Sequence, residues 1–255
     1  MHNLFIENMT TTLLLLGIPT LLYFIVTNKF AYKADPQLSE ALANFNIFNS
    51  LYSIFLSMAL ITLLVNFNTV KDDTRKEAES ITSAARLMSG LTNAGKLKLA
   101  LLEYAKSVVN YDLKALKSGN MSNEALLAFN NLWDEVNKMQ INSTKDEYAY
   151  HLVMGELSDI SKSRLNRRMK AKDNLHPLVF SLLIIGYYIM LIKTYLTRLE
   201  NKRIQRAYEI CVFGIMLLVI VTIVDLNTPF VGIVNIETSS FNIALERVTQ
   251  ITLNQ

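Results

Sequence analysis

Glycine and proline are scarce in this chain, with eight and four residues among 255. That scarcity excludes a β-rich domain built on tight turns and leaves long helices as the natural architecture. Cysteine is scarcer still. The single Cys211 rules out an internal disulfide, and its place in an apolar run marks it as a small apolar residue in lipid or helix packing. Charge is thin, at 18% of residues, where a typical soluble domain carries about 25%. The net charge of +3 supplies no basic surface, so nucleic acid is excluded as a partner. His2, His151 and His176 have no neighbours at ligand spacing, so no metal centre is expected. A Gly-rich phosphate loop and a nucleophile elbow are both missing, so no cofactor and no enzymatic activity are expected.

What is present is apolar sequence in four blocks, each near the ~20 residues that cross a bilayer as helix. Twenty-one uncharged residues lie between Glu7 and Lys29, with Pro19 among them, which a membrane helix tolerates. A cleaved signal peptide is the rival reading of this block, but it calls for a basic leader, and Glu7 stands there instead. Thirty uncharged residues follow Glu40, up to Lys71, long enough to tilt or to emerge at one end. A third block lies between Asp173 and Lys193, with Tyr187 and Tyr188 inside it. The fourth, between Glu209 and Asp225, has only 15 uncharged residues, so Asp225 must face protein or water if the helix continues past it.

These blocks predict an all-α membrane protein: four transmembrane helices, with a helical cytoplasmic bundle inserted between helices 2 and 3. Residues 1–70 hold the first two spans, at about 9–28 and 45–70. Residues 71–174 form the bundle, 175–226 the last two spans (about 175–193 and 208–226), and 227–255 a C-terminal segment and helix. The bundle region carries 17 Lys+Arg and 14 Asp+Glu. Thr92 reads as the N-cap of a helix whose Leu99, Leu102, Tyr104, Val108, Tyr111 and Leu116 approximate helical spacing. Ser122 caps a second helix, carrying Trp133 as a core anchor. Ser143 and Asp146 open a third through Tyr148, Leu152, Leu157, Ile160 and Leu165. Lys71 to Leu91 continues the second span. Ten basic residues flank the bundle's ends, against seven in the two other loops, placing bundle and both termini in the cytoplasm.

The second span carries unusual polarity. Asn46, Ser50, Ser53 and Ser57 fall along one helical face, with Asn49 beside them, while Phe45, Phe48, Tyr52 and Phe55 form a second stripe. Both stripes suit helix packing, and both suit a pore whose polar residues wet the path and whose aromatics narrow it. Asp72, Asp73, Glu77 and Glu79 alternate with Lys71, Arg75 and Lys76, which reads as a solvated face with i,i+4 pairs.

After the fourth span the chain reads Asp225-Leu-Asn-Thr-Pro229-Phe230-Val-Gly232, then Ile-Val-Asn-Ile-Glu and, from Phe241, Phe-Asn-Ile-Ala-Leu-Glu-Arg. This resembles the D-x-x-x-P-F-x-G signature of the bestrophin-like family. Glu77, Glu79, Arg86, Tyr104, Tyr111, the Leu-Lys-Ser-Gly119 turn and Arg164-x-x-Arg167-Arg168 resemble it too, so the likeness runs from Ala41 onward. It implies kinship with bestrophins, four-span pentameric anion channels in which span two lines the pore. By that likeness the chain sits in a lipid bilayer, expected to be a bacterial inner membrane. The same likeness implies that it assembles with itself, as bestrophins do as pentamers, and that it passes small anions such as chloride. Asn46, Phe48, Asn49, Tyr52, Ser53, Phe55 and Ser57 are then the expected pore lining, with Phe48, Tyr52 and Phe55 as the neck. Asp225, Pro229, Phe230 and Gly232 correspond to the family segment after span four. Bestrophins follow that segment with acids that grip calcium. This chain has Glu237 alone before Phe241, too few oxygens for calcium. A membrane sensor, or an accessory subunit whose bundle binds a partner protein, remains the alternative.

Overall fold

A computed structural model describes residues 2–29, 46–117, 120–141, 143–172, 175–196, 201–236 and 238–253, and all regular structure among them is helical. Helix α1 spans His2–Lys29 and α2 spans Asn46–Met88. Helix α3 (Gly95–Ser107) runs through a π turn (Val108–Asp112) into α4 (Leu113–Leu116). Then come α5 (Asn123–Asn137), α6 (Thr144–Lys172), α7 (Pro177–Leu196), α8 (Lys202–Leu226) and α9 (Ser239–Leu253). Four stretches are long and apolar enough to cross a membrane: Met9–Lys29, Ile47–Met88, Pro177–Leu196 and Lys202–Leu226. The protein is an integral membrane protein. Helix α8 starts well before the apolar block, so its 25 residues carry Glu209 inside them and remove the apparent shortness of span four.

Pro19 cannot donate a backbone hydrogen bond, which frees the carbonyl of Leu15 one turn earlier. The Tyr188 hydroxyl of α7 donates to that oxygen at 2.7 Å. Next to it, the Thr20 and Tyr187 hydroxyls share a 2.6 Å hydrogen bond. The tyrosine pair of span three thus mends the proline break of span one, a repair that neighbouring helices make in lipid.

Helix α2 leaves the apolar region without interruption and pairs with α6; the Asn66 side-chain amide donates to the Lys170 carbonyl at 3.4 Å. At 1.5 Å per residue its 43 residues make a rod of about 65 Å. Helix α5 packs on α3, while α9 folds back against both α2 and α3. Ser122 caps α5 as expected, accepting from the Ala125 N–H at 3.1 Å. Ser143 and Asp146 form the expected capping-box-like start of α6, with the Asp146 N–H donating to Ser143 Oγ at 3.1 Å and the Ser143 hydroxyl donating to the Asp146 carboxylate at 3.0 Å.

Several expectations are corrected. Thr92 caps nothing: α3 begins at Gly95 after Ala94, which makes no side-chain cap, and Asn93 holds a left-handed φ of 60°. Thr92 instead donates its N–H and hydroxyl to Asp146 at 3.0 Å, tying the approach to α3 onto the start of α6. The π turn unwinds the helix enough to swing Tyr111 into solvent and bring Asp112 inside, breaking the simple spacing. Leu99, Tyr148, Leu152 and Leu165 also lie exposed. Trp133 is only partly buried, edge-on to Phe129.

Candidate functional site

The second helix has two unlike sides. Tyr52, Leu56, Ala59, Leu63, Phe67 and Val70 form its buried ridge, facing α7 and α8. Tyr52 is the anchor of that ridge. Its hydroxyl donates to the Leu183 carbonyl of α7 at 2.7 Å, and its ring lies so close over Gly186 that a Cβ there would overlap it. Phe48 stacks on Tyr52 with nearly parallel rings, 6.3 Å between centroids. Of the three expected neck aromatics, Tyr52 therefore packs inside the subunit, while Phe48 and Phe55 are half-buried at its edge.

On the opposite side Ile47, Leu51, Ile54, Met58, Ile61 and Val65 are all exposed, and Asn68, Asp72, Arg75 and Glu79 continue the line. These positions alternate at four and three residues throughout, the repeat of a helix that packs against its own kind along a seam. Ser50, Ser53 and Ser57 flank the seam on one side, all exposed, and Phe48 and Phe55 flank it on the other. Ser57 donates to the Ser53 carbonyl of its own helix at 2.8 Å. Asn49 is half-buried, and its side-chain oxygen finds no partner among the described residues. Asn46 opens the helix with its side chain outside the described residues, as is all of Phe45.

Where α2 enters the bundle it meets a buried charge cluster. Arg167 of α6 is fully buried and donates to Glu77 through Nε at 2.9 Å and through Nη2 at 3.2 Å. The same Nη2 reaches Asp112, presented by the π turn, at 2.9 Å. The Tyr104 hydroxyl donates to Glu77 at 2.7 Å, and the Ser122 N–H donates to Asp112 at 3.1 Å. Burial disfavours the Arg167 charge, but Glu77 and then Asp112 outweigh it and push its pKa up. Burial first, and the Glu77 charge second, hold the Tyr104 phenol well above its ordinary value, so it stays a donor. Arg167 also lies over the Phe241 ring of α9 at 5.5 Å, and Arg164 over Phe129 at 5.1 Å.

The motif after α8 is a closed turn. Asp225 is buried and accepts from the N–H groups of Ile233 at 2.6 Å and Val234 at 2.9 Å. Gly232 faces it so tightly that a Cβ would stand 2.8 Å from the Asp225 carboxylate. Pro229 and Phe230 are buried, and the Pro229 carbonyl accepts from the Ile236 N–H at 2.9 Å. The helix itself stops at Leu226, before Pro229, and Asn227 accepts from the Leu175 N–H at 2.6 Å, fastening the start of α7. The Asp225 carboxylate is thus consumed by backbone amides. Glu237 lies outside the described residues, and among the described residues no group of three or more His, Cys, Asp or Glu side chains could hold a metal ion.

Sequence reading missed Glu209. It is buried in α8, accepting from the Tyr23 hydroxyl at 2.7 Å and the Gln205 amide at 2.8 Å, with Arg206 at 3.7 Å. Gln205 four residues before Glu209 was the available signal, since such pairs meet on a helix face. Tyr23 was too far along the chain to connect.

A family model described as Bestrophin-like domain matches residues 41–241. Among curated proteins none matches. Two similar solved structures are crystal structures of a bacterial bestrophin homolog from Klebsiella pneumoniae, each bearing one substitution. The tryptophan-to-alanine mutant superposes with a TM-score of 0.67 at 13% identity, covering 98% of both chains. The leucine-to-threonine mutant gives 0.63 at 12%, covering 98% of this chain and 99% of that one. At such identity the likeness speaks for the fold.

Proposed function

The chain belongs to the bestrophin-like family, and from that premise we propose that it is an oligomeric channel for small anions whose path follows the exposed seam of α2. The observation that carries this reading is the seam itself. A row of large apolar side chains, Ile47 to Val65, stands clear of the subunit on the face opposite its packing ridge. The same exposed line runs on without a break into Asn68, Asp72, Arg75 and Glu79, polar side chains that lipid does not cover. One subunit encloses no path, so several copies must share an axis, five by the likeness to bestrophins. The serine flank of one copy then meets the Phe48 and Phe55 flank of the next, two unlike surfaces, as a closed ring requires. The neck of the path is assigned to Leu51, Ile54, Met58 and Ile61, a hydrophobic constriction, with Tyr52 as an anchor behind it. No carboxylate occurs from Asn46 to Val70, so this stretch offers no acidic ring to favour cations. The bundle and both termini are assigned to the cytoplasm of a bacterial inner membrane.

Flux of halide from liposomes bearing the purified protein tests the reading. Wild type should leak anions above protein-free vesicles, Ile54→Trp with Met58→Trp should block the leak, and Ile54→Ala with Met58→Ala should raise it. No flux in wild type, or flux indifferent to both pairs, would overturn the proposal.

A further inference from the structure

Beyond the membrane the α2 seam turns from apolar to charged: Asp72, Arg75 and Glu79 follow one another at three and four residues, all exposed, with Lys71 and Lys76 beside them. That spacing suits ion pairs within the helix. Elsewhere the chain makes such pairs readily, Lys138 with Glu135 at 2.9 Å and Lys162 with Asp159 at 3.3 Å. On α2, however, none of these five side chains forms an ion pair among the described residues. The helix backbone beneath them is fixed by the buried ridge of Thr74, Glu77 and Ile81, so the charges are presented in a set direction.

We propose that this stripe is a charged collar between copies of the chain, Arg75 of each copy pairing with Asp72 and Glu79 of the next. The inference rests on reading α2 as the axial helix of a ring. Copies related by a rotation about that axis place Arg75 about 4.5 Å above the level of Asp72 and about 6 Å below Glu79, at 1.5 Å per residue. Packed helices stand about 8–10 Å apart, within the combined reach of an arginine and a carboxylate side chain. The Arg75 ring then lies between the acidic rings of Asp72 and Glu79, which offsets the repulsion that like charges around an axis create. The partner is a second copy because the charges complete one another in register and continue the apolar seam without a break in its repeat. The collar fixes register and handedness of assembly, a role in which charges are more effective than in adding raw affinity. The same pairs make this end of the contact sensitive to salt.

Co-assembly distinguishes the collar from pairs within one helix. A chain carrying Arg75→Glu and a differently tagged chain carrying Asp72→Lys with Glu79→Lys are expressed alone and together, and the mass in detergent is measured. Each alone should assemble about tenfold or more weakly than wild type, and the mixture should recover assembly with both tags present. Cysteine cross-linking in membranes serves where a charge reversal fails to fold. With Cys211→Ser, Asp72→Cys plus Arg75→Cys should give a ladder of covalent oligomers on oxidation, while either cysteine alone stops at dimers. Reversed variants that assemble like wild type, or no ladder from a protein of oligomeric mass, would overturn the collar and leave the ring standing. A monomeric wild type would instead remove the ring itself.

Discussion

Gly186 and Tyr52 show what a single residue decides in this fold. The phenol ring occupies the space a side chain at position 186 would need, so Gly186→Val should cost about 1–3 kcal/mol, read as a lower Tm in detergent. Tyr52→Leu in the same chain should recover part of that loss. Arg167 is decided by charge. Replacing it with Met strands Glu77 and Asp112 without a cation in a buried site, an effect of about 3–5 kcal/mol, and Lys should not rescue it because the forked geometry is lost. Asp146 gives a pH dependence. The Thr92 N–H, and then the Ser143 hydroxyl, hold its carboxyl below the ordinary value. A depressed folded-state pKa adds stability above the ordinary carboxylate range near about 4, and that stability is lost as pH falls through the depressed value. The Tm gap between wild type and Asp146→Asn should therefore be full at neutral pH and close as pH drops below about 4. A gap that widened in acid would show that Thr92 and Ser143 are not what favours the charged form. The roles of Ser122 and of Ser143 with Asp146 could be read from sequence because a cap touches residues three positions away. Those of Gly186 and Thr92 could not, because their partners are distant in the chain.

At the scale of elements, α2 was legible as one long helix from its uncharged run and the charged stretch that keeps helical character beyond Lys71. Its two stripes were legible as stripes. That Tyr52 packs inside while Phe48 and Phe55 stay at the edge was not, because an aromatic on a membrane helix serves equally at a packing face and at a constriction, and the partners of Tyr52, Leu183 and Gly186, lie on another helix. The π turn was invisible for a related reason: Val108 to Asp112 has ordinary helix composition, and the Arg167 that Asp112 meets lies 55 residues further along the chain. One residue inserted at Asn68 should rotate everything beyond it by about 100° relative to the apolar seam. Such a chain should keep its helix content by circular dichroism while losing oligomeric mass, since the two halves of the seam no longer share an axis.

For the whole molecule, the all-helical class and four spans followed from apolar blocks alone, while the turn at Asp225 rests on backbone amides eight and nine residues away that no helical spacing signals. The motif residues are there to close a turn: Gly232→Ala presses on the Asp225 carboxylate and should lower expression and Tm without needing any effect on ion passage. Orientation is checked by a cysteine at Lys117 in a Cys211→Ser background. It should resist an impermeant maleimide in intact cells and react after permeabilisation; labelling in intact cells would invert the assignment. A final consequence concerns the length of α2. The rod and the C-terminal helix pack directly against each other, and at that joint Arg167 of α6 grips Glu77 and covers Phe241. From Glu77 to Ile54 is about 35 Å of unbroken helix, so a tilt of about 5° at that joint displaces the far position by about 3 Å. The α9 contact and the apolar seam thus lie on one continuous helix, so a displacement at either is carried to the other.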